Sequence, residues 1–484
     1  MTLPSVQTPL RTRLFRDGTW TDAADGAEFE VLDPADGSVI ATVADGTVQD
    51  ALACVDAAER AAADWAATPP RRRSEILSAA FEAMTARQDE IAALITRENG
   101  KAYPDAVAET RYAAEFFRWF AEEAVRLSGQ LGQAPSGANR IMVSRAPIGI
   151  SFLVTPWNFP AAMATRKLGP ALAAGCTAIV KPASETPLTA LLIADLLHEA
   201  GVPRGVVNVL PSRRSGPVAD AVLHDPRVRK LSFTGSTEVG RHLLHLAADQ
   251  VISCAMELGG NAPFVVLADA DLDAAVEGAL VAKMRNAGEA CTAANRFYVH
   301  RSIAGEFARR LADRMSALRV GPGTDRSNDV GPLVNAAAVD KVEELVADAV
   351  RRGARVVTGG VRLGGPGHYY APTVLEAVPT DAQILAEEIF GPVAPVVAFD
   401  VEDEAVELAN ATEYGLVSYL YTEDLRRGMA LAERLESGMV GLNRGLVSDP
   451  AAPFGGVKQS GLGREGSHVG IEEFTETKYV AVNW

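Results

Sequence analysis

The sequence predicts an α/β protein with two domains, each built on parallel strands that helices connect. Three observations support this prediction. The chain has 484 residues, more than one ordinary compact domain contains. Short apolar runs alternate with helical stretches from about residue 147, and the same alternation restarts after Gly259 and Gly260. Strand, helix and strand in regular succession favour parallel pairing with crossover helices.

Composition and charge restrict the class of protein. The chain is 48 % hydrophobic and 22 % charged, which is typical of globular proteins, and its net charge is −16. Such a charge argues against nucleic acid or an anionic membrane as the main partner. The N-terminal stretch lacks the apolar core of a signal peptide, and no apolar run approaches the ~20 residues of a membrane span. We therefore expect a soluble, cytoplasmic protein.

The elements follow in chain order. Residues 48–66 and 73–98 carry apolar positions at helical spacing, for example Ile76, Leu77 and Phe81. In the first alternating region the predicted strands are GISFLV, TAIVK, GVVNVL and RKLSFT, and the predicted helices cover 161–174, 186–200, 214–224 and 237–249.

The second alternating region follows the two glycines. Its predicted strands are PFVVL, RFYVH, ARVVT, PVVAF and SYLYT, and its predicted helices cover 270–287, 302–318, 336–353 and 402–410. Residues 440–469 are rich in Gly, Pro and Ser, which predicts a long functional loop.

The four cysteines are widely spaced and include no CxxC pair, so neither a zinc site nor a disulfide scaffold is expected. Cys54, Cys176 and Cys254 lie in apolar surroundings that suit core packing. Cys291 differs, because its stretch NAGEACTAANR offers an apolar side chain little to pack against. Cys291 is therefore a candidate for chemistry.

Four further stretches lie at or near the ends of strand candidates or beside glycines. FTGSTEVG could bind a phosphate at a helix start or form an ordinary tight turn, and it is not the GxGxxG fingerprint. Lys181 in KPASETP could reach a ligand or be solvated. Asn158 in TPWNFP could donate to an oxyanion or belong to a structural corner. Glu257 in ELGGNAP could be a general base or a solvated carboxylate.

These stretches together resemble the aldehyde dehydrogenase superfamily. Seven motifs occur in the family's order along nearly the whole chain: TPWNFP, KPASETP, FTGSTEVG, MELGGNAP, GEACTAANR, EEIFGPV and PFGGVKQSGLGREG. One such motif would be weak evidence, whereas seven in order and at plausible spacing are highly specific.

The resemblance implies a catalytic role for three residues. Cys291 would attack the aldehyde carbon as a thiolate. The Asn158 amide and the Cys291 backbone N–H would stabilise the oxyanion, and one such donor contributes roughly 2.7–4 kcal/mol. After hydride transfer leaves a thioester, Glu257 would activate the water that hydrolyses it.

The resemblance also implies a nicotinamide cofactor. NAD-preferring members often carry Glu three residues after the lysine, where this chain has Ser184, so we expect NADP to be preferred and NAD to be possible. The neighbouring Glu185 weakens this preference. The implied cofactor-binding residues are Trp157, Lys181, Pro182, Ala183, Ser184, Gly235, Ser236, Leu258, Glu388 and Phe390.

Three residues point to the substrate. Arg166, Arg285 and Ser448 match positions that bind the distal carboxylate in succinate-semialdehyde dehydrogenases, and guanidinium groups suit a carboxylate. The expected reaction is oxidation of succinate semialdehyde to succinate, without a metal. The alternatives are glutarate semialdehyde or a broad range of aliphatic aldehydes, and a non-catalytic relative that binds the cofactor as a structural protein.

The family's architecture implies the domain boundaries. Residues 1–129 and 148–257 would form the cofactor-binding domain, 258–440 the catalytic domain, and 441–469 would return to the first domain. Residues 130–147 and 470–484 would form a β-arm that assembles homodimers or homotetramers.

This sequence departs from the family pattern at two positions. Some succinate-semialdehyde dehydrogenases carry a second cysteine two residues after the nucleophile, where this chain has Ala293, so we predict no disulfide switch. Relatives commonly carry an acidic or small residue where this chain has Arg444. Arg444 could alter the substrate mouth, which leaves the substrate's chain length open.

Overall fold

A computed structural model describes residues 9–483 of the chain. The predicted cofactor-binding segment 1–129 and the predicted arm segment 470–484 therefore extend beyond the described residues, by eight residues and one residue respectively. The beginning of the stretch considered as a signal peptide also lies outside them.

The strands of the described residues fall into four sheets. They are β1 Leu14–Arg16, β2 Thr19–Thr21, β3 Glu28–Leu32, β4 Val39–Ala44, β5 Gln130–Gln133, β6 Arg140–Pro147, β7 Ile150–Val154, β8 Ala178–Lys181, β9 Val207–Val209, β10 Val228–Thr234, β11 Ser253–Glu257, β12 Ala262–Val266, β13 Ala294–His300, β14 Arg355–Thr358, β15 Thr373–Glu376, β16 Val393–Phe399, β17 Val417–Tyr421, β18 Met439–Leu442, β19 Gly461–Leu462 and β20 Thr475–Val482.

The α-helices connect and cover these strands. They are α1 Val48–Ala67, α2 Pro70–Ala86, α3 Gln88–Asn99, α4 Tyr103–Ala124, α5 Pro160–Ala174, α6 Pro187–Glu199, α7 Ser215–Leu223, α8 Thr237–Ala248, α9 Leu272–Met284, α10 Arg301–Ser316, α11 Ala336–Arg351, α12 Gln383–Ala386, α13 Glu402–Asn410, α14 Leu425–Ala432 and α15 Val469–Glu472. Short 3₁₀ helices cover Arg285–Gly288 and Lys458–Ser460.

The first large sheet has the strand order β19-β11-β10-β7-β8-β9-β1-β2. Its five central strands, from β11 to β9, are parallel. The strands at both edges run antiparallel to their neighbours. Since β19 comes from residues 461–462, the chain returns to this sheet after it has completed the second one.

The second large sheet has the order β14-β15-β16-β13-β12-β17-β18, and every pair except β14 with β15 is parallel. The chain changes from the first sheet to the second between Glu257 and Ala262. Two parallel sheets with crossover helices confirm the predicted α/β class. The domain boundaries given above stay a prediction.

Two smaller antiparallel sheets complete the fold. Strands β3 and β4 form a hairpin, and β5, β6 and β20 form a three-stranded sheet. The last sheet joins residues 130–147 to the C-terminal segment, which are the two stretches that the sequence assigned to the arm.

Every strand predicted in the two alternating regions is present, and each helix predicted there begins and ends within three residues of the observed one. The helix predicted over 73–98 is wrong in extent. It is two helices, α2 and α3, because Arg87 leaves the helical conformation with φ −104° and ψ 22°. Helices α4, α12, α14 and α15 were not predicted.

Three apolar clusters form the interior. One surrounds the second large sheet, and the other two lie on the two faces of the first large sheet. Cys54 and Cys176 are buried in them, as predicted, whereas Cys254 is only half-buried. Within residues 9–483 no helix has the length and apolarity needed to cross a bilayer. The same residues bring no three His, Cys, Asp or Glu side chains into an arrangement that could hold a metal ion.

Candidate active site

Four motifs singled out in the sequence lie at one edge of the first sheet. Strands β7, β8, β10 and β11 are parallel neighbours, and their carboxyl ends lead into Asn158, Lys181, Gly235 and Glu257. Ligands of open parallel sheets bind at this edge. The segment before β13 brings Cys291 to the same place from the second sheet, so the candidate site lies between the two sheets.

A cleft of about 380 Å³ occupies this junction. Eight residues predicted to act in the site line it together: Trp157, Asn158, Gly235, Ser236, Leu258, Cys291, Glu388 and Phe390. They come from five separate motifs, which only the tertiary structure brings together.

Cys291 follows a strained turn. Asn286 and Ala287 have φ 52° in the left-handed region, which L-residues rarely adopt and which is often found at functional sites. The side chain is partly exposed to the cleft. Burial raises the pKa of the thiol to about 12, although the guanidinium of Arg166 opposes this effect. The thiol is therefore protonated at neutral pH in this structure.

Asn158 is buried beside this turn. Its Nδ2 donates to the Glu289 carbonyl at 3.1 Å, which leaves one amide hydrogen for another acceptor. Its Oδ1 has no hydrogen-bond partner among residues 9–483. Asn286 Nδ2 donates to the backbone carbonyl of Asn158 at 3.0 Å, so the turn before Cys291 and the Asn158 loop are fixed to each other.

A buried ion pair that the sequence analysis missed supports Asn158. Lys101 Nζ contacts Glu109 at 2.5 Å and donates to the Asn158 carbonyl at 2.7 Å. Glu109 also accepts the backbone N–H groups of Ala161 and Ala162 in the first turn of α5. The pair therefore links α4 to the loop that carries Asn158. No local pattern reveals it, since Lys101 and Asn158 are 57 residues apart.

Glu257 ends β11 and its carboxyl group is buried. Burial, together with the Glu465 carboxylate, raises the pKa of Glu257 well above its ordinary value. Its Oε2 has no hydrogen-bond partner among the described residues. A Cβ at Gly455, whose φ is +156°, would lie 2.8 Å from Glu257 Oε1, so a side chain there would press on the carboxyl group.

Arg166 is paired within the protein. Its Nε lies 2.5 Å from Glu465, which also contacts Lys167 Nζ at 2.6 Å. Burial raises the pKa of Glu465, but these two cations outweigh it and hold that pKa below the ordinary value. The Arg166 guanidinium lies 4.2 Å from the centre of the Phe454 ring. The role of Arg166 toward a substrate stays a prediction.

Arg285 and Ser448 are in contact, and their role toward a substrate stays a prediction. Arg285 Nη1 donates to Ser448 Oγ at 3.3 Å. The guanidinium also lies 4.6 Å from the centre of the Phe159 ring. Burial raises the pKa of Cys291, and the charges of Arg166 and Arg285 both oppose this rise.

The cleft has the features that a dinucleotide needs. A Cβ at Gly235 would lie 2.4 Å from the Phe233 ring, so only glycine allows this backbone to stay close to the cleft. Ser236 begins the 12-residue helix α8, whose free N–H groups favour phosphate. Glu388, whose pKa burial raises to about 7, accepts the Gly260 N–H at 3.1 Å. Trp157 and Phe390 contact each other edge to face at 5.5 Å. These residues fit a nicotinamide cofactor.

A second cavity of about 370 Å³ contains Ser184, Glu185 and Arg213. Ser184 Oγ donates to the Glu185 carboxylate at 3.2 Å. Lys181 is buried, which lowers its pKa to about 8, and its Nζ donates to the Pro182 carbonyl. Strand β8 ends at Lys181, and Ser184 follows three residues later in the lining of this cavity.

Arg444 is not among the residues that line either of these two cavities. It is exposed, and its Nε donates to the Leu446 carbonyl at 2.6 Å. This bond holds the guanidinium against its own loop.

Several known proteins are similar to this chain along nearly its whole length. The sequence model of the aldehyde dehydrogenase family matches residues 20–480. A succinate-semialdehyde dehydrogenase of Paenarthrobacter nicotinovorans is 54 % identical over 92 % of this chain and 99 % of its own length. The NADP(+) succinate-semialdehyde dehydrogenase of Escherichia coli K12 is 47 % identical over 98 % of both chains.

A relative named for another substrate is nearly as similar. A glutarate-semialdehyde dehydrogenase of Pseudomonas putida is 46 % identical over 98 % of both chains. Among solved structures, the succinate-semialdehyde dehydrogenase of Burkholderia pseudomallei superposes with a TM-score of 0.97 at 48 % identity, covering 99 % of this chain and 100 % of that one.

Proposed function

This chain belongs to the aldehyde dehydrogenase family, and on that premise we propose that it oxidises succinate semialdehyde to succinate with NADP⁺ as the preferred cofactor and NAD⁺ as a possible one. The observation that carries the substrate assignment is the contact between Arg285 and Ser448 beside the ring of Phe159, the residue that follows Asn158. It provides a cation and a hydroxyl where a short ω-carboxylated aldehyde would place its carboxylate.

Catalysis begins at Cys291. Its thiol gives up its proton to water, and the sulfur bonds to the aldehyde carbon as the carbonyl π pair moves to the oxygen, which becomes an oxyanion that accepts hydrogen bonds from the Asn158 amide and the Cys291 N–H. The bound cofactor supplies the hydride acceptor. A thioester then remains on Cys291. Glu257 takes a proton from water, whose oxygen attacks the thioester carbon and releases the acid and the thiol.

Charge within the site supports a carboxylated substrate. Glu465 offsets one of the two buried cations beside it, Arg166 and Lys167. Arg285 has no ion pair among residues 9–483 and donates to a neutral hydroxyl instead. Its charge is therefore available to a substrate, and an uncharged aldehyde would leave it without a counter-ion.

The cofactor preference is supported by Ser184, whose neutral hydroxyl does not repel a 2′-phosphate, and by Arg213 in the same cavity. Glu185 in this cavity favours ribose hydroxyls, which is why NAD⁺ stays possible. A cytoplasmic location and a homodimer or homotetramer are also part of the proposal.

The deciding measurement is kcat/KM with NADP⁺ for succinate semialdehyde and for butanal, which has the same carbon count but no carboxylate. We expect a preference of at least about a hundredfold for the semialdehyde. Equal values would overturn the substrate assignment and leave the family's chemistry in place. Absence of turnover with every aldehyde under both cofactors would favour the non-catalytic alternative.

Glutarate semialdehyde is the second candidate substrate, since a glutarate-semialdehyde dehydrogenase is 46 % identical to this chain. One methylene changes specificity by only ~1–3 kcal/mol. The same assay with glutarate semialdehyde ranks the two acids, and a higher kcat/KM for the longer one would reassign the substrate.

A further inference from the structure

Tyr112, which no motif of the sequence analysis included, has an unexplained hydroxyl group. It lies on α4, and its ring contacts Phe116 edge to face at 4.9 Å. The phenol oxygen is shielded from solvent, and its proton has no acceptor among residues 9–483. Buried polar atoms are nearly always hydrogen-bonded, so this oxygen requires an explanation.

The surroundings of Tyr112 indicate which kind of group would accept its phenol proton. The Arg285 guanidinium lies 5.8 Å from the centre of the Tyr112 ring. Burial raises the pKa of the phenol, and this rise is opposed by the charges of Arg166 and Arg285 and by Arg166 as a hydrogen-bond donor to the phenol oxygen. A guanidinium offers only donors, so neither arginine can accept the phenol proton. The group that completes this environment is an anionic acceptor.

We propose that Tyr112 is a specificity-determining residue, whose O–H donates to the distal carboxylate of the substrate beside Arg285 and Ser448. This inference rests on the proposed function. A carboxylate has two oxygens and about four lone-pair positions, so it accepts from a guanidinium, a serine hydroxyl and a phenol together. An aldehyde without the carboxylate leaves the phenol proton unpaired.

The test removes the hydroxyl group of Tyr112 and keeps its aromatic ring. In Tyr112→Phe, kcat/KM for succinate semialdehyde falls about tenfold, mainly through a higher KM, while kcat/KM for butanal stays the same. Tyr103→Phe is the matched control. It removes the other tyrosine hydroxyl of α4, which donates to Asp89 at 3.0 Å, and both substrates are expected to keep their wild-type values.

A second measurement does not depend on turnover. Succinate, which carries the same carboxylate, slows alkylation of Cys291 by iodoacetamide in the wild type, and Tyr112→Phe requires about tenfold more succinate for equal protection. Thermal unfolding of both variants verifies that they are folded.

Two outcomes would overturn the proposal: unchanged kcat/KM for succinate semialdehyde in Tyr112→Phe, or an equal loss for both aldehydes, which would make the hydroxyl structural. Failure of the proposed function is distinguishable from either, because it appears in the wild type as the absence of any preference for the semialdehyde over butanal.

Discussion

The Cys291 thiol needs help to become a nucleophile. Burial raises the pKa of this thiol to about 12. Below that pH the thiol is mostly neutral, and its thiolate fraction grows about tenfold for each pH unit. We predict that the rate constant for alkylation of Cys291 by iodoacetamide, without added cofactor, rises continuously from pH 6 to pH 10. The measurement is loss of activity against time at each pH.

Peptide mapping by mass spectrometry supplies the control. Cys54 and Cys176 are buried and should stay unmodified, whereas the half-buried Cys254 is a site whose alkylation must be separated from that of Cys291. A rate that reached a plateau by pH 8 would show an ordinary or lowered pKa and contradict the prediction.

Glu257 is expected to act only after hydride transfer. We predict that Glu257→Gln retains a burst of about one NADPH for each active site but lowers the steady-state rate by about 10²–10⁴, because the thioester accumulates. Burial and Glu465 raise the pKa of Glu257, so its basic form increases with pH and wild-type hydrolysis should accelerate as the pH rises. Stopped-flow absorbance at 340 nm separates the phases. Loss of the burst itself would assign Glu257 an earlier role.

At the scale of single residues, the sequence predicted the site residues that lie within motifs. It did not predict the supporting residues that lie outside them. Cys291, Asn158 and Glu388 were named from motifs, and they line one cleft. Lys101 and Glu109 were not named, because their importance depends on burial and on a contact with Asn158 that only folding creates.

Among the elements, α4 and the loop before α5 depend on one buried ion pair. We predict that Lys101→Met costs about 3–5 kcal/mol of unfolding free energy, because it leaves the Glu109 carboxylate buried and unpaired. It also lowers kcat, since the Asn158 carbonyl loses a donor at 2.7 Å. Urea unfolding and steady-state kinetics measure the two effects.

The double variant Lys101→Met with Glu109→Leu separates the effect of the unpaired buried charge on stability from the effect of the lost hydrogen bonds on the position of the Asn158 loop. It removes both charges, so much of the stability returns, while kcat stays low because the Asn158 loop and the first turn of α5 still lack their partners. Wild-type stability and kcat in the single variant would show that the pair is unimportant.

The elements themselves were predictable where periodicity was regular. The strands of both large sheets read as short apolar runs because helices cover both faces. Helix α4 was not predicted because its buried face includes the polar residues Glu109 and Thr110, which interrupt the apolar pattern. The break between α2 and α3 at Arg87 involves neither Gly nor Pro, so no local signal marks it.

At the scale of the whole molecule, the small sheet of β5, β6 and β20 presents an unusual apolar row. Leu131, Met142 and Val480 occupy paired positions in the three strands, so their side chains share one face. They are 65 %, 43 % and 39 % exposed. Both outer strands also have an open edge, which natural proteins generally cover. Association with a second copy of the chain would cover both features.

We therefore predict that the 51.1 kDa chain sediments as a dimer or a tetramer, and that Met142→Lys shifts it to smaller species. A lysine at the centre of the row would bring a charge into an apolar interface that has no partner for it. Analytical ultracentrifugation over a range of concentrations gives the masses. Val251→Lys is the control, because Val251 is 88 % exposed in a different part of the chain and its replacement should not change the mass. A wild type that sediments as a monomer, or a Met142→Lys variant with the wild-type mass, would exclude this face as the interface.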